Sequence, residues 1–457
     1  MNLPAEIFRS YDIRGVVGRT LTPDIVFQIG KSLGTIAQER KAPTFAVGRD
    51  GRLSGPELAG ALIDGMLAAG ADAIDIGMAP TPVAYFAAHH LGCGSCVAVT
   101  GSHNPPDYNG LKVVIGGDTL YGDDIQEIRK RIESGRLASG QGKRSGANVL
   151  DAYVERIAGD VKLSRPFRIA VDCGNGVAGM LAPRLFRGLG CEVTELYCEV
   201  DGTFPNHHPD PSQPENLADL TDRLKAGKAE LGFAFDGDGD RLGLVAKDGE
   251  VIFPDRQLML FARDVLGRNP GAQIIYDVKS TRLLAPWIER YGGKPVIWKT
   301  GHSLIKAKLK ESGALLAGEM SGHTFFKERW YGFDDALYAG ARLLEVLSKE
   351  SDANQALKSL PSAPSTPELH WALEEGEPHA LVARLQASKP FPGAERVLTL
   401  DGVRVEYADG FGLARASNTT PVIVLRFEAD TAAALERIKQ AFRSALQPLK
   451  PNAPLPY

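Results

Sequence analysis

The stretch Thr100-Gly101-Ser102-His103-Asn104-Pro105-Pro106-Asp107-Tyr108-Asn109-Gly110 sets one hydroxyl on a turn directly after the apolar run Cys96-Val97-Ala98-Val99. A serine in a turn ordinarily bonds its own backbone. Here His103, Asn104 and the nearby Lys112 crowd polar and cationic groups around Ser102, and paired prolines stiffen the loop. That setting suits a nucleophile or a covalently modified hydroxyl, depending on what else converges on it.

Three further loops offer partners. Asp236, Asp238 and Asp240 alternate with glycine, so three carboxylates share a small space and repel one another unless a divalent cation joins them. A calcium loop of the EF-hand kind wants Gly at its sixth position and Glu at its twelfth; here Arg241 and Lys247 stand there. An incomplete, oxygen-rich site suits Mg²⁺, which takes its other ligands from phosphate or water. Arg241, beside the carboxylates, is placed to stabilise phosphoryl charge. Glu319-Met320-Ser321-Gly322-His323 joins an acceptor, a hydroxyl and an imidazole in one turn, which can bond sugar hydroxyls; His323 can also move a proton near neutral pH. Arg415-Ala416-Ser417-Asn418-Thr419-Thr420-Pro421 offers an Arg fork, hydroxyls and an amide, a composition fit for cradling phosphate. A hydroxyl, a metal site, a sugar-reading turn and a phosphate anchor together point to phosphoryl transfer. Neither the Gly-x-Ser-x-Gly elbow of a serine hydrolase nor the Gly-x4-Gly-Lys-Ser/Thr phosphate loop is present.

The elements that must position these loops repeat. The runs Phe45–Gly51, Arg168–Gly174 and Gln273–Lys279 each read as a strand entering a polar turn with Asp. A helical pattern follows each and closes near Gly70, Gly190 or Gly292, and second strands come at Asp72–Ile76, Glu192–Leu196 and Lys294–Trp298. Third strands at Cys96–Val99, Leu231–Phe235 and Ala314–Ala317 then run into the three chemical loops, at the strand ends where α/β sheets bind ligands. The fold expected is α/β: three repeated mixed α/β domains plus a C-terminal α+β domain around a central cleft. The boundaries expected are 1–147, 148–250, 251–362 and 363–457. Gly/Ser-rich 133–148 and Pro/Ser-rich 358–367 read as linkers. In the last domain, strands are expected at Val397–Leu400, Val403–Tyr407 and Val422–Phe427. A final helix is expected from Thr431, with Asp430 as N-cap and Leu435, Ile438, Phe442 and Leu446 as its buried stripe.

Composition excludes other classes. At 457 residues the chain is too long for one core, and a net charge of -4 makes no electrostatic case for nucleic acid or an anionic membrane. No apolar run is long enough for a membrane span, and Met1-Asn2-Leu3-Pro4-Ala5-Glu6 lacks the pattern of a signal peptide, so a cytoplasmic protein is expected. Five cysteines imply no disulfide framework, and Cys93-Gly94-Ser95-Cys96 has no second pair to complete a zinc site. No association segment is evident, which makes a monomer the expectation.

Tyr11-Asp12-Ile13-Arg14-Gly15, the TGSHNPP loop, DGDGDR, Lys299-Thr300-Gly301-His302, GEMSGH and RASNTTP occur in order, with one or more in every domain. In this the chain resembles the α-D-phosphohexomutases, most closely their bacterial phosphomannomutase/phosphoglucomutase branch. The resemblance implies that Ser102 carries a phosphoryl group and that Mg²⁺ is bound by Asp236, Asp238, Asp240 and a phosphoserine oxygen. Hexose 1- and 6-phosphates, of mannose and glucose, would interconvert through a bound 1,6-bisphosphate, with glucose 1,6-bisphosphate as activator. His103, Lys112, Arg241 and His323 would join Ser102 in the chemistry, Lys112 and His323 as candidates for proton transfer. Tyr11, Arg14, Lys279 and His302 would line the cleft, Glu319 and Ser321 would read O3 and O4, and Arg415, Ser417, Asn418 and Thr419 would hold the idle phosphate. Closure of the last domain would exclude water. Phosphoglucosamine mutases of the family usually carry Gln where this chain has Met320, which favours mannose and glucose. The rivals are phosphoglucosamine mutase, a metal-dependent sugar phosphatase and a non-catalytic sugar-phosphate binder. Residues 351–395 carry no transferable motif.

Overall fold

Each expected repeat becomes a sheet built in the same way. The computed structural model describes residues 3–374, 376–388, 391–418 and 420–457. In the first sheet Thr44–Arg49 is central, with Asp72–Met78 and Ser95–Val99 parallel on either side and Tyr108–Ile115 antiparallel beyond. Arg168–Asp172 occupies the same place in the second, between Glu192–Leu196 and Leu231–Phe235, with Leu242–Ala246 antiparallel. Gln273–Asp277 does so in the third, between Lys294–Trp298 and Leu316–Gly318, with Thr324–Phe326 antiparallel. Parallel neighbours force helical crossovers, and the crossovers stop where expected: Gly70, Gly190 and Gly292 all adopt positive φ (84°, 91° and 77°). The third strand of the third repeat starts two residues later than expected, because Gly313 (φ 69°) ends the preceding helix and Ala314-Leu315 carry the chain into the sheet.

Two expected linkers hold structure. Arg144–Gly146 adds a parallel edge strand beside Asp72–Met78, and Ser365, in the second, bridges to Glu428. The last domain is a five-stranded antiparallel sheet. Its edge strand Leu369–Ala372 and the helix Glu377–Ser388 lie in the stretch without motifs. The strand expected at Val397–Leu400 is Arg396–Leu398. The final helix, Ala432–Leu446, is capped by Thr431, whose hydroxyl accepts from the Ala434 N–H at 3.2 Å, and not by Asp430, whose carboxylate instead pairs with Arg282. Ala434, Ile438, Phe442, Ala445 and Leu446 form its buried stripe, with Leu435 only half-buried.

Packing separates the last domain from the others. One apolar cluster runs from Ala46 to Leu360 through the first three sheets. At their junction Phe86, Tyr153, Trp330 and Tyr338 stack or meet edge-on, and the Tyr153 hydroxyl donates to Asp335 at 2.7 Å. Three loops carried on one shared core keep their relative positions. The last domain has a core of its own and meets the third through polar contacts: Arg404 donates to the carbonyls of Val278 and Ser280, Arg426 to that of Lys279, and Thr281 to Glu428. Among the described residues, only Val278, Phe411 and Leu413 join the two domains as a fully buried apolar cluster.

Glycine also sets a close approach in the first domain. The helices Pro23–Glu39 and Gly55–Ala68 cross so closely that a Cβ on Gly65 would lie 2.1 Å from the Phe27 carbonyl oxygen. Gly65→Ala is therefore expected to cost about 1–3 kcal/mol. In urea unfolding the midpoint should fall with an unchanged slope; an unchanged midpoint refutes the close approach.

Candidate active site

The turn at Ser102 is held before it does any chemistry. Ser102 is buried, at φ 49° in the left-handed region that a serine rarely enters. Its N–H donates to Thr100 Oγ1 at 2.8 Å, and its carbonyl accepts from Arg52 at 2.8 Å. The same guanidinium also reaches the carbonyls of Asn104 (2.6 Å), Pro105 (2.5 Å) and Tyr108 (3.0 Å), so one fully buried arginine fixes the whole loop. Nothing in the TGSHNPP stretch announces Arg52. It lies one residue beyond the run Phe45–Gly51.

Ser102 Oγ donates to Asp236 Oδ2 at 3.0 Å, which joins the first sheet's loop to the second's. Asp236, Asp238 and Asp240 are completely buried, with one oxygen from each within 4.8 Å of the others. Lys112 Nζ enters from the strand Tyr108–Ile115 and bonds Asp238 Oδ2 at 2.8 Å and Asp240 Oδ2. Thr81 Oγ1 bonds the same Asp238 oxygen at 2.5 Å. Burial, then repulsion from Asp238 and Asp240, pushes the Asp236 carboxyl well above its ordinary value. Burial alone would lower the Lys112 ammonium, but Asp238 and Asp240 outweigh it and hold the ammonium protonated. Asp238 Oδ1 has no hydrogen-bond partner among the described residues. Asp240 Oδ1 makes no aligned hydrogen bond either, although His323 Nε2 lies 3.2 Å away. Uncompensated oxygens in a buried acid cluster fit a hard divalent cation.

The histidines divide by environment. His323 sits between carboxylates, Nε2 3.2 Å from Asp240 and Nδ1 3.1 Å from Glu319; burial works against its charge, but these neighbours raise its pKa to about 9. His103 goes the other way. Burial and then Arg241 lower it to about 4, although Asp210 lies 3.2 Å from Nδ1, and Arg241 Nη2 approaches Nε2 at 3.0 Å. His302 is buried and held well below its ordinary value, first by burial and then by Lys306 and Lys112; neither ring nitrogen has a hydrogen-bond partner among the described residues.

Ser102, Lys112, Arg241 and the three histidines open on one cavity of about 360 Å³ between the four sheets, also lined by Tyr11, Arg14, Lys279, Glu319, Ser321, Arg415, Ser417 and Asn418, with the acid cluster behind Ser102. A larger cavity of about 1030 Å³, beside Tyr85 and Lys306, shares no lining residue with this one. Tyr11 donates to the Thr300 carbonyl at 2.8 Å and accepts from Asn418, and burial pushes its hydroxyl up to about 12. Arg14 bonds Asp12 and Asn104. Arg415 bonds Asp401 at 3.1 Å through Nε, while its buried Nη2 has no partner among the described residues. Thr419 lies outside the described residues. Met320 lines a separate cavity of about 40 Å³ with Pro254 and Gln257, and is not part of the cleft wall.

The cleft also holds groups that no motif marks. Glu368, just past the Pro/Ser-rich linker, accepts from Lys279 at 2.6 Å, and His370 lines the wall beside it. Asp210 reaches His103 from the loop after Glu192–Leu196. Chain order gave no sign of either placement, because both depend on how domains meet.

Comparison with known proteins agrees along the entire chain. Models of the phosphoglucomutase/phosphomannomutase α/β/α domains I, II and III match residues 5–139, 151–249 and 253–363, and the model of the C-terminal domain matches 368–445. A phosphomannomutase/phosphoglucomutase of Pseudomonas aeruginosa is 56% identical over 456 residues, 100% of this chain and 98% of the relative. A phosphoglucomutase of Neisseria gonorrhoeae is 57% identical over 449 residues, 98% of each. The solved structure of a phosphoglucomutase/phosphomannomutase family protein from Burkholderia thailandensis has a TM-score of 0.95 at 59% identity, covering 100% of both chains. No helix among the described residues is long and apolar enough to cross a membrane. A chain matched in order by all four domain models, with relatives of this identity over its full length, belongs to the phosphoglucomutase/phosphomannomutase family, the α-D-phosphohexomutases.

Proposed function

We propose that this chain interconverts hexose 1-phosphates and hexose 6-phosphates, of glucose and mannose, by phosphoryl transfer through Ser102. One observation carries the reading. A single cavity has on one wall a fixed serine that is hydrogen-bonded to the acid cluster behind it, and on another an arginine with an uncommitted buried nitrogen, Arg415. A sugar with phosphate at either end can place one end at each. Asp236, Asp238 and Asp240 would hold Mg²⁺, which when bound offsets negative charge on the phosphoryl oxygens.

The phosphoryl group on Ser102 passes to the free hydroxyl of a hexose phosphate. The bond from phosphorus to Ser102 Oγ breaks, a bond to the sugar oxygen forms, and a bound 1,6-bisphosphate results. The hydroxyl proton leaves the sugar and Ser102 Oγ gains one. Lys112 and His323 are protonated and fit the donor role, whereas neutral His302, with no hydrogen-bond partner among the described residues, has one ring nitrogen able to accept. After the bisphosphate turns over, its other phosphate returns to Ser102. Arg415, Ser417 and Asn418 hold whichever phosphate is idle, and Glu319 and Ser321 meet the hydroxyls between. We assign the domains as 1–147, 148–250, 251–362 and 363–457, one loop of the cleft from each.

Incubation with glucose 1,6-bisphosphate and Mg²⁺ should add one phosphoryl group, mapped by peptide mass to Ser102. The loaded enzyme should convert glucose 1-phosphate and mannose 1-phosphate to their 6-phosphates faster than it converts glucosamine 6-phosphate. Label on another residue would overturn the assignment of Ser102. Free phosphate released as fast as sugar phosphate disappears would make the protein a phosphatase, and an amino-sugar preference would make it a glucosamine enzyme.

A further inference from the structure

The repeat places the same residue at the same point of each sheet. Asp50 follows Thr44–Arg49, Asp172 ends Arg168–Asp172, and Asp277 ends Gln273–Asp277. Each strand is central, with a parallel neighbour on either side. A residue at its carboxyl end therefore stands between the loops leaving both neighbours. All three aspartates are almost completely buried, at 2%, 1% and 0% exposure. A carboxylate there accepts several hydrogen bonds and demands no acceptor in return, so it can gather N–H and O–H donors from adjoining loops.

Each one does so. Asp50 accepts from Thr100 Oγ1 (2.7 Å), Gly101 N–H (3.1 Å), Arg52 N–H (3.0 Å) and Arg52 Nε (3.2 Å). It thus holds the Ser102 loop both directly and through the arginine that caps it. Asp277 accepts from Ser280 Oγ (2.7 Å), Thr300 Oγ1 (3.0 Å) and Met320 N–H (3.2 Å). Those donors belong to the loops that carry Lys279, His302 and the Glu319–His323 turn. Asp172 accepts from Gly174 N–H at 2.9 Å and contacts His207 Nε2 at 3.0 Å. The His207 loop continues to Asp210, which meets His103, and its Pro209 carbonyl accepts from Gly237 of the acid loop.

We propose that Asp50, Asp172 and Asp277 are equivalent positioning residues, one per repeat, each setting the loops of its own domain against the cleft. None of them touches the reacting atoms. Because the loops differ in task, the aspartates differ in what their loss changes. Asp50 governs phosphoryl uptake and transfer at Ser102, whereas Asp277 governs the fit of the sugar.

This rests on the mutase reading, and the test separates the two. Asp277→Ala should raise KM for glucose 1-phosphate about 10-fold or more, the size expected for hydrogen bonds to a buried charge. Phosphoryl loading of Ser102 should stay as in the wild type. Asp277→Asn should remain within about 3-fold of wild type, since its oxygen still accepts from Ser280 and Met320 and its amide can donate to the Thr300 hydroxyl. Asp50→Ala should lower kcat and the rate of Ser102 loading about 10-fold or more, with KM within about 3-fold. Where an alanine variant does not fold, Thr300→Val removes the one bond from its hydroxyl to Asp277, and Thr100→Val removes the bond to Asp50 together with the one Thr100 Oγ1 accepts from the Ser102 N–H; they should show the same two signatures at about 3-fold or more. An equal, uniform loss in both series, or an unchanged KM in Asp277→Ala and Thr300→Val, would overturn the positioning roles. Absence of mutase turnover in the wild type would instead defeat the mutase reading itself.

Discussion

Ser102→Ala should lower mutase turnover by about 10,000-fold or more, because it removes the atom that accepts and returns the phosphoryl group. The loss should appear in kcat and not in assembly of the cleft. Oγ leaves with its bond to Asp236, but the contacts that fix the loop within its own domain run through the backbone: the Ser102 N–H to Thr100 and its carbonyl to Arg52. Alanine does pay for the left-handed backbone at this position, as serine already does. Binding of glucose 1-phosphate should persist, since Arg415, Lys279 and Glu319 are untouched. Intact mass after glucose 1,6-bisphosphate should show no added phosphoryl group. Turnover within about 10-fold of wild type would mean that another group carries phosphate, because no positioning effect at a lost nucleophile leaves so much activity.

The repeat was legible in sequence because its signals are local. A short apolar strand, an Asp turn, an amphipathic run and a closing glycine fall in the same order three times, and neighbouring strands do pair. The last domain was read less well. Leu369–Ala372 is a short edge strand of four residues without clear alternation, and Asp430 and Thr431 are both good caps by type. There the choice was tertiary: Arg282 of the third domain draws the Asp430 carboxylate away and leaves Thr431 to bond Ala434.

For the site, the distinction is between groups that act on a ligand and groups that hold those groups. Ser102, the three aspartates, Glu319 and Arg415 could be read because their types and spacing make chemical sense within a single loop. Arg52, Asp210 and Glu368 could not, since each works on a partner fifty or more residues away in the chain (Ser102, His103 and Lys279). Lys112 shows a third case. It was visible as a cation near Ser102, but pairing of Ala98 with Lys112 across two strands is what aims it into the acid cluster.

That aim gives the second large effect. Lys112→Met keeps much of the side chain's volume and removes the buried ammonium that bonds Asp238 and Asp240. Donation to a reacting oxygen and stabilisation of developing charge are worth about 100- to 1,000-fold each, so kcat should fall by at least about 100-fold. The effect on metal should have the opposite sense. Without Lys112 the three carboxylates repel one another more, and a divalent cation becomes the main source of compensation. Half-saturation by Mg²⁺ should therefore occur at lower concentration in the variant even as turnover collapses. Lys112→Arg should not restore activity, because a planar fork cannot stand in for a compact ammonium between two carboxylates that also receives no help from solvent. A variant that retained kcat within about 3-fold, or that needed more Mg²⁺, would show Lys112 to be a structural counter-ion and would move the donor role to His323.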